Sequence, residues 1–229
     1  MTQNTAAELR LRLKSARRHL AVADRQRGSL LIRARLYSWL AIMRDQKKAR
    51  GLPPPQTIAF YWPLTDEPDL GPLITQWAEA GLNLALPKIM APAQPLLFFP
   101  WQVDTTLVQG PFGVLEPPVS PVNPASTAVI PDVVLVPTLG FTAAGDRLGY
   151  GKGFYDRTLA HLNAQGHHPL TIGVAWDVGA IDELVPDYKP QPHDKPLNAI
   201  ITPSAWYPAP PSDPSDGLDL QTLPNGHGG

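Results

Sequence analysis

Apolar residues recur at helical intervals through the first fifty positions. Leu9, Leu13 and Leu20 share one face, and Ala6, Ala16 and Ala23 help fill it. A second helix follows, with Asp24 placed to cap it and Leu30, Leu31, Leu36, Trp39, Leu40 and Met43 as its apolar positions. Gly51 and the prolines at 53–55 stop it. The pattern then shortens. TIAFYW (57–62), LNLALP (82–87), LLFFPW (96–101), VVLVP (133–137), TIGVAW (171–176) and NAIIT (198–202) are brief apolar runs, and each predicts a strand. Pro100 marks the third as an edge strand. Helical segments at 69–80 and 154–163 alternate with these runs.

VVLVP is apolar at every position and needs cover on both faces. With the strand–helix alternation, it predicts a three-layer α/β/α domain with a mainly parallel sheet and the N-terminal helices packed on it. That domain is expected to span residues 1–205. From 206 to 229 the chain is rich in Pro, Asp, Ser and Gly, which predicts a mobile tail.

Composition narrows the possible partners. Hydrophobic residues make up 43% of 229 residues, enough for a sizeable core. The net charge of -1, with no basic half, gives no footing for nucleic acid or an anionic membrane. The absence of cysteine excludes disulfides, thiolate metal ligands and a thiol nucleophile, and it suits a cytoplasmic protein. No apolar run reaches the roughly 20 residues of a membrane span. The charged N-terminus reads as a structural helix rather than a secretory signal. No protein partner is evident, so a small-molecule ligand is expected.

The candidate chemistry lies in RLGYGKGFYD, Arg147 to Asp156. An apolar strand ends at Pro137, a loop turns, three glycines pass, and a helix begins. Ligands of open α/β sheets bind outside the carboxyl ends of strands. Helix N-termini offer unpaired N–H groups and the positive end of a dipole. Glycines let the backbone come close to phosphate. Lys152 and Arg147 add cations, and Asp156 in the first helical turn is placed to hold a magnesium ion. The spacing is neither that of a Walker A loop nor that of the dinucleotide fingerprint, and a structural turn remains the competing reading. Glu67 and Asp69 read equally well as acids opening a helix, and Glu116 before Pro117 reads as a turn residue.

The segment VPTLGFTAAGDRLGYGKGFYDRTL resembles the signature of the 5-formyltetrahydrofolate cyclo-ligase family, at Val136–Pro137, Phe141, Gly145 and Arg147 through Asp156. LRLKSARRHL, PLTDEPDLGPLI, GVLEPP and PHDKPLNAIIT are similar to further family segments in the same order, across roughly residues 6 to 203. The resemblance implies ATP- and Mg2+-dependent conversion of 5-formyltetrahydrofolate to 5,10-methenyltetrahydrofolate, with release of ADP and phosphate. It implies that Arg10, Arg147, Leu148, Gly149, Tyr150, Gly151, Lys152, Gly153, Phe154 and Tyr155 line ATP. It implies that Leu64, Glu67, Asp69 and residues Tyr150 to Phe154 contact the reduced folate. By the same resemblance Lys152 and Arg147 are catalytic, and Asp156 and Asp194 hold the metal. The chain departs from the family pattern at Ala6, where the family carries Lys, and at Leu70, where it carries Thr. The alternatives are a non-catalytic folate or nucleotide binder, or a related ATP-dependent enzyme acting on a different heteroaromatic substrate.

Overall fold

The computed structural model describes residues 3–119, 127–185, 188–190 and 195–212. In chain order the elements are α1 (Gln3–Arg18), α2 (Val22–Ala49), β1 (Thr57–Ala59), α3 (Gly71–Glu79), β2 (Asn83–Lys88), β3 (Leu97–Trp101), β4 (Val108–Gln109) and β5 (Leu115–Glu116). They continue with β6 (Val133–Pro137), β7 (Gly140–Phe141), β8 (Arg147–Leu148), α4 (Phe154–Ala164), β9 (Leu170–Val174), β10 (Ala199–Ile201) and β11 (Trp206–Tyr207). The main sheet has the order β11-β10-β9-β6-β1-β2-β3. Its five inner strands pair in parallel, and both edges are antiparallel.

The alternation of side chains in β6 shows how the layers form. Val133 and Leu135 join Ile32, Leu36 and Trp39 of α2 and Leu73, Ile74 and Trp77 of α3 in one core. Val134 and Val136 face the other way, toward Leu159 and Leu162 of α4. This is the three-layer arrangement expected from an all-apolar strand. The buried stripe of α2 is Ser29, Ile32, Leu36, Trp39, Leu40 and Met43. Leu30 and Leu31, predicted on that stripe, are exposed instead, because strict three- and four-residue spacing from Leu36 selects Ile32. Asp24 sits in the first turn of α2, and Ala21 stands at the cap without a side-chain hydrogen bond.

α1 takes a different position. Leu9 and Leu13 pack with Leu139, Leu148 and Ile181, so the helix lies across the loops that follow the strands. The domain also extends past residue 205. β11 pairs with β10, Trp206 meets Trp39 at 6.0 Å between ring centroids, and the Trp39 indole donates to the Pro211 carbonyl at 2.9 Å. Residues 206–212 therefore form a strap over α2 rather than the start of a mobile tail, since two indoles supply burial that composition averages away. Residues 213–229, assigned to that tail, lie outside the described residues.

The sheet order also places the ligand site. From β1 the chain moves one way to β2, and from β6 it moves the opposite way through β9 to β10. β1 and β6 are neighbours on either side of this reversal. Sheets of this kind bind ligands in the crevice outside such a reversal.

Candidate active site

Two loops meet there: the one after β1 and the one after β6. The second begins with the β7–β8 hairpin, in which Leu148 is buried against α1. The chain then runs through Gly149–Gly153 directly into α4. Gly151 (φ +88°) and Gly153 (φ +65°) adopt the left-handed backbone that glycine favours, and Gly153 is the cap of α4 with no side-chain hydrogen bond. The first N–H groups of α4 thus open on the loop.

Three arginines surround this run. A Cβ on Gly149 would lie 2.8 Å from Arg147 Nη1, one on Gly151 3.1 Å from Arg10 Cζ, and one on Gly153 2.8 Å from Arg157 Nη1. Arg10 Nε donates to the Gly149 carbonyl at 2.9 Å, and Arg157 Nη2 donates to the Lys152 carbonyl at 2.7 Å. Cations thus engage two loop carbonyls, and the loop leads into the N-terminus of α4. Such an arrangement receives an anion. The glycines leave room for arginine side chains, which the sequence alone did not show.

Arg147 is not a free cation. Its Nη2 lies 2.7 Å from Asp156 Oδ1, which also accepts the Lys195 N–H at 3.3 Å, and its guanidinium sits 6.0 Å above the Tyr155 ring. Lys152 is exposed, with Nζ 5.3 Å above the ring of Phe112, which in turn lies 6.2 Å from the ring of Phe154. Tyr155 packs into the α4-side core, and burial raises its phenol well above the ordinary value. Glu116 is buried, pairs with Lys88 at 3.3 Å and accepts the Ile89 N–H at 3.1 Å. It is therefore a strut between β5 and the end of β2 rather than a turn residue.

The loop after β1 supplies the facing wall. Glu67 is buried and accepts the Leu64 N–H at 2.8 Å and the hydroxyl of Tyr150. Arg17 of α1, only 2% exposed, donates from Nη1 to the Tyr150 oxygen at 2.6 Å. Its Nη2 lies 3.1 Å from Asp66 Oδ1 and 3.8 Å from Glu67 Oε1, while its Nε reaches the Asp66 carbonyl at 3.2 Å. Burial raises the Glu67 carboxyl above its usual range, opposed by the Tyr150 and Leu64 hydrogen bonds and by Arg17. Burial also raises the Tyr150 phenol, as does the Glu67 charge beside it. Tyr61 lies near this group, fully buried, and its hydroxyl has no hydrogen-bond partner among the described residues.

Several predicted residues stand apart. Asp69 is exposed, accepts the Gly71 N–H at 2.9 Å and pairs with Arg33 at 3.2 Å, so it opens α3 as a helix-starting acid. Leu64 is exposed and enters the cluster only through its backbone N–H. Asp194 lies outside the described residues. Among the described residues no three His, Cys, Asp or Glu side chains converge on a metal-sized site. Sequence reasoning missed Arg17, Asp66 and Arg157. The available signal was the spacing of Arg10, Lys14 and Arg17, which puts three cations on one stripe of α1.

A glycine-rich, cation-lined loop at the reversal of a parallel sheet, beside a second, largely buried polar wall, defines an α/β protein whose candidate site is suited to an anionic ligand. The family model described as the 5-formyltetrahydrofolate cyclo-ligase family matches residues 2–203. A 5-formyltetrahydrofolate cyclo-ligase of Mycolicibacterium smegmatis is 32% identical over 207 residues, covering 89% of this chain and 96% of the relative. One of Escherichia coli is 36% identical over 152 residues, covering 65% of this chain and 78% of the relative. The structure of Aquifex aeolicus 5,10-methenyltetrahydrofolate synthetase superposes with a TM-score of 0.68 at 25% identity, covering 97% of both chains. The chain belongs to the 5-formyltetrahydrofolate cyclo-ligase family.

Proposed function

We infer that the protein converts 5-formyltetrahydrofolate to 5,10-methenyltetrahydrofolate, with ATP converted to ADP and phosphate. The observation that carries this reading is the loop Arg147–Asp156, which matches the family signature and sits at the sheet reversal between a helix N-terminus and the Tyr150–Glu67 wall.

The formyl oxygen is a poor leaving group. Transfer of the γ-phosphoryl group to it allows N10 to attack the formyl carbon, after which the C–O bond breaks and phosphate leaves. The N10 proton departs with this step. The protein's task is to align the two substrates and to neutralise charge on the transferring group. The amides of Gly149–Gly153 and the first turn of α4 are suited to the phosphates. Lys152 is an exposed cation of the loop whose described side-chain contact is the Phe112 ring, and it is assigned to the transferring group. Arg147 is assigned to holding Asp156 and the start of α4 in place rather than to direct contact with phosphate. Glu67 and Tyr150 are assigned to the folate.

Magnesium binds through one or two carboxylates together with phosphate oxygens and water. Asp156 fits that donor set with its Oδ2, because only Oδ1 is engaged by Arg147 and Lys195 among the described residues. Held there, such an ion would supply positive charge to offset that of the phosphates.

The test is to mix purified protein with 5-formyltetrahydrofolate and Mg-ATP. The near-ultraviolet absorbance of methenyltetrahydrofolate should rise with equimolar ADP. Folate binding without ADP formation would instead identify a binding protein.

A further inference from the structure

Arg17 has an unusual position for an arginine. It is almost fully buried, it belongs to α1, and it bonds to two loops from distant parts of the chain. One edge of the guanidinium reaches Asp66 and approaches Glu67 of the loop after β1. Nη1 reaches the Tyr150 hydroxyl of the glycine loop, and that hydroxyl donates to Glu67. Trp176 fixes the same stretch by donating to the Asp66 carbonyl at 2.8 Å. Burying a cation this deeply is unfavourable unless its partners are geometrically fixed. A planar fork can bond the Asp66 carbonyl and the Tyr150 hydroxyl while its Nη2 faces the Asp66 and Glu67 carboxylates as an ion pair without a hydrogen bond, whereas an ammonium acts as a single point charge.

We propose that Arg17 is a positioning residue for the folate end of the site, holding Tyr150 and Glu67 in one arrangement so that the two loops bind the substrate as a single surface. The proposal rests on assigning Tyr150 and Glu67 to the folate. Arg10, two helical turns earlier, bonds the Gly149 carbonyl instead. The same helix thus presents one arginine to the backbone of the phosphate loop and another to the folate wall. The two residues should separate the affinities for the two substrates.

The experiment is titration calorimetry on the full chain, with 5-formyltetrahydrofolate and a non-hydrolysable ATP analogue as separate ligands. Arg17→Gln is expected to weaken folate binding by about ten-fold or more, as expected for loss of a charged hydrogen bond, while the nucleotide affinity changes by less than about three-fold on the same scale. Arg17→Lys should recover only part of the loss, and Arg10→Gln should show the opposite selectivity. Arg17→Gln combined with Tyr150→Phe should bind folate no more weakly than the worse single variant, because both act through one contact. Folate affinity unchanged in Arg17→Gln, equal loss for both ligands, or additive losses in the double variant would each overturn the proposal. Should Arg17→Gln not fold, Arg17→Lys carries the same comparison. Binding is read without turnover, so an inactive wild type that binds folate would refute ring closure alone. A wild type that binds no folate would refute both readings.

Discussion

At the scale of single residues, the site separates groups committed to the fold from groups left for ligand. Lys152 is exposed, and its one described side-chain contact, over Phe112, contributes little to stability. Lys152→Ala should lower kcat by about 100-fold or more with little change in Tm, and measuring both on one preparation tests this. Retained kcat would remove Lys152 from catalysis. Gly153 differs because its backbone is left-handed. Gly153→Ala should cost about 1–2 kcal/mol of stability, a fall in Tm of roughly 2–8 °C for a chain of this size. Glu67 gives a pH signature. Its carboxyl is raised in the folded state by burial, so the folded protein holds that proton more tightly than the unfolded chain does. The stability due to this group is present below the ordinary carboxylate value, about 4.3, and is lost as pH rises through the raised value. Wild type should therefore lose stability relative to Glu67→Gln on going upward through that window. Thermal melts of both proteins across pH would show it, and parallel curves would contradict the assignment.

At the scale of elements, legibility followed burial. The all-apolar VVLVP run announced a central strand covered on both faces, and β6 is that strand. The glycine run announced a loop entering a helix, and α4 begins at Phe154 as expected. The β7–β8 hairpin escaped notice because two-residue strands have too few positions to show a period. Tyr155, Leu148 and Arg147 carry the family signature, yet their side chains serve packing and an ion pair. Motif matching marks a segment; it does not say which way each side chain turns. Arg17 was invisible for the opposite reason: a basic residue near a helix C-terminus ordinarily reads as solvated. The strap at 206–212 was hidden by its proline content, although its contacts are specific. A chain ending at residue 205 should melt several degrees below one ending at Ser212. It loses the contact of the half-buried Trp206, the β11 pairing and the Trp39–Pro211 hydrogen bond, and partial burial of a large side chain contributes about 1 kcal/mol or more. Equal melting temperatures would show that the strap rests on α2 without supporting it.

At the scale of the whole molecule, the site is assembled from segments remote in sequence: Arg10 and Arg17 from the start, Glu67 from the first third, and Gly149–Asp156 from past the middle. Arg17 and Tyr150 are 133 positions apart, and Tyr150 and Glu67 are 83 apart. This separation has a consequence in time. A ribosome adding about 5–20 residues per second makes Arg17 roughly 7–27 s before Tyr150 exists to receive it. Through that interval α1 has neither Leu139 nor Leu148 to cover Leu9 and Leu13. A short amphipathic helix without its packing partner is marginal in water, so the first segment to be made is among the last to become ordered. Pulse-labelled hydrogen exchange on nascent chains stalled at increasing lengths should find the amides of α1 unprotected until the glycine loop has emerged. Protection should then arrive at both places together, so that the N-terminal helix acts as a closing latch whose engagement reports that synthesis has passed the glycine loop.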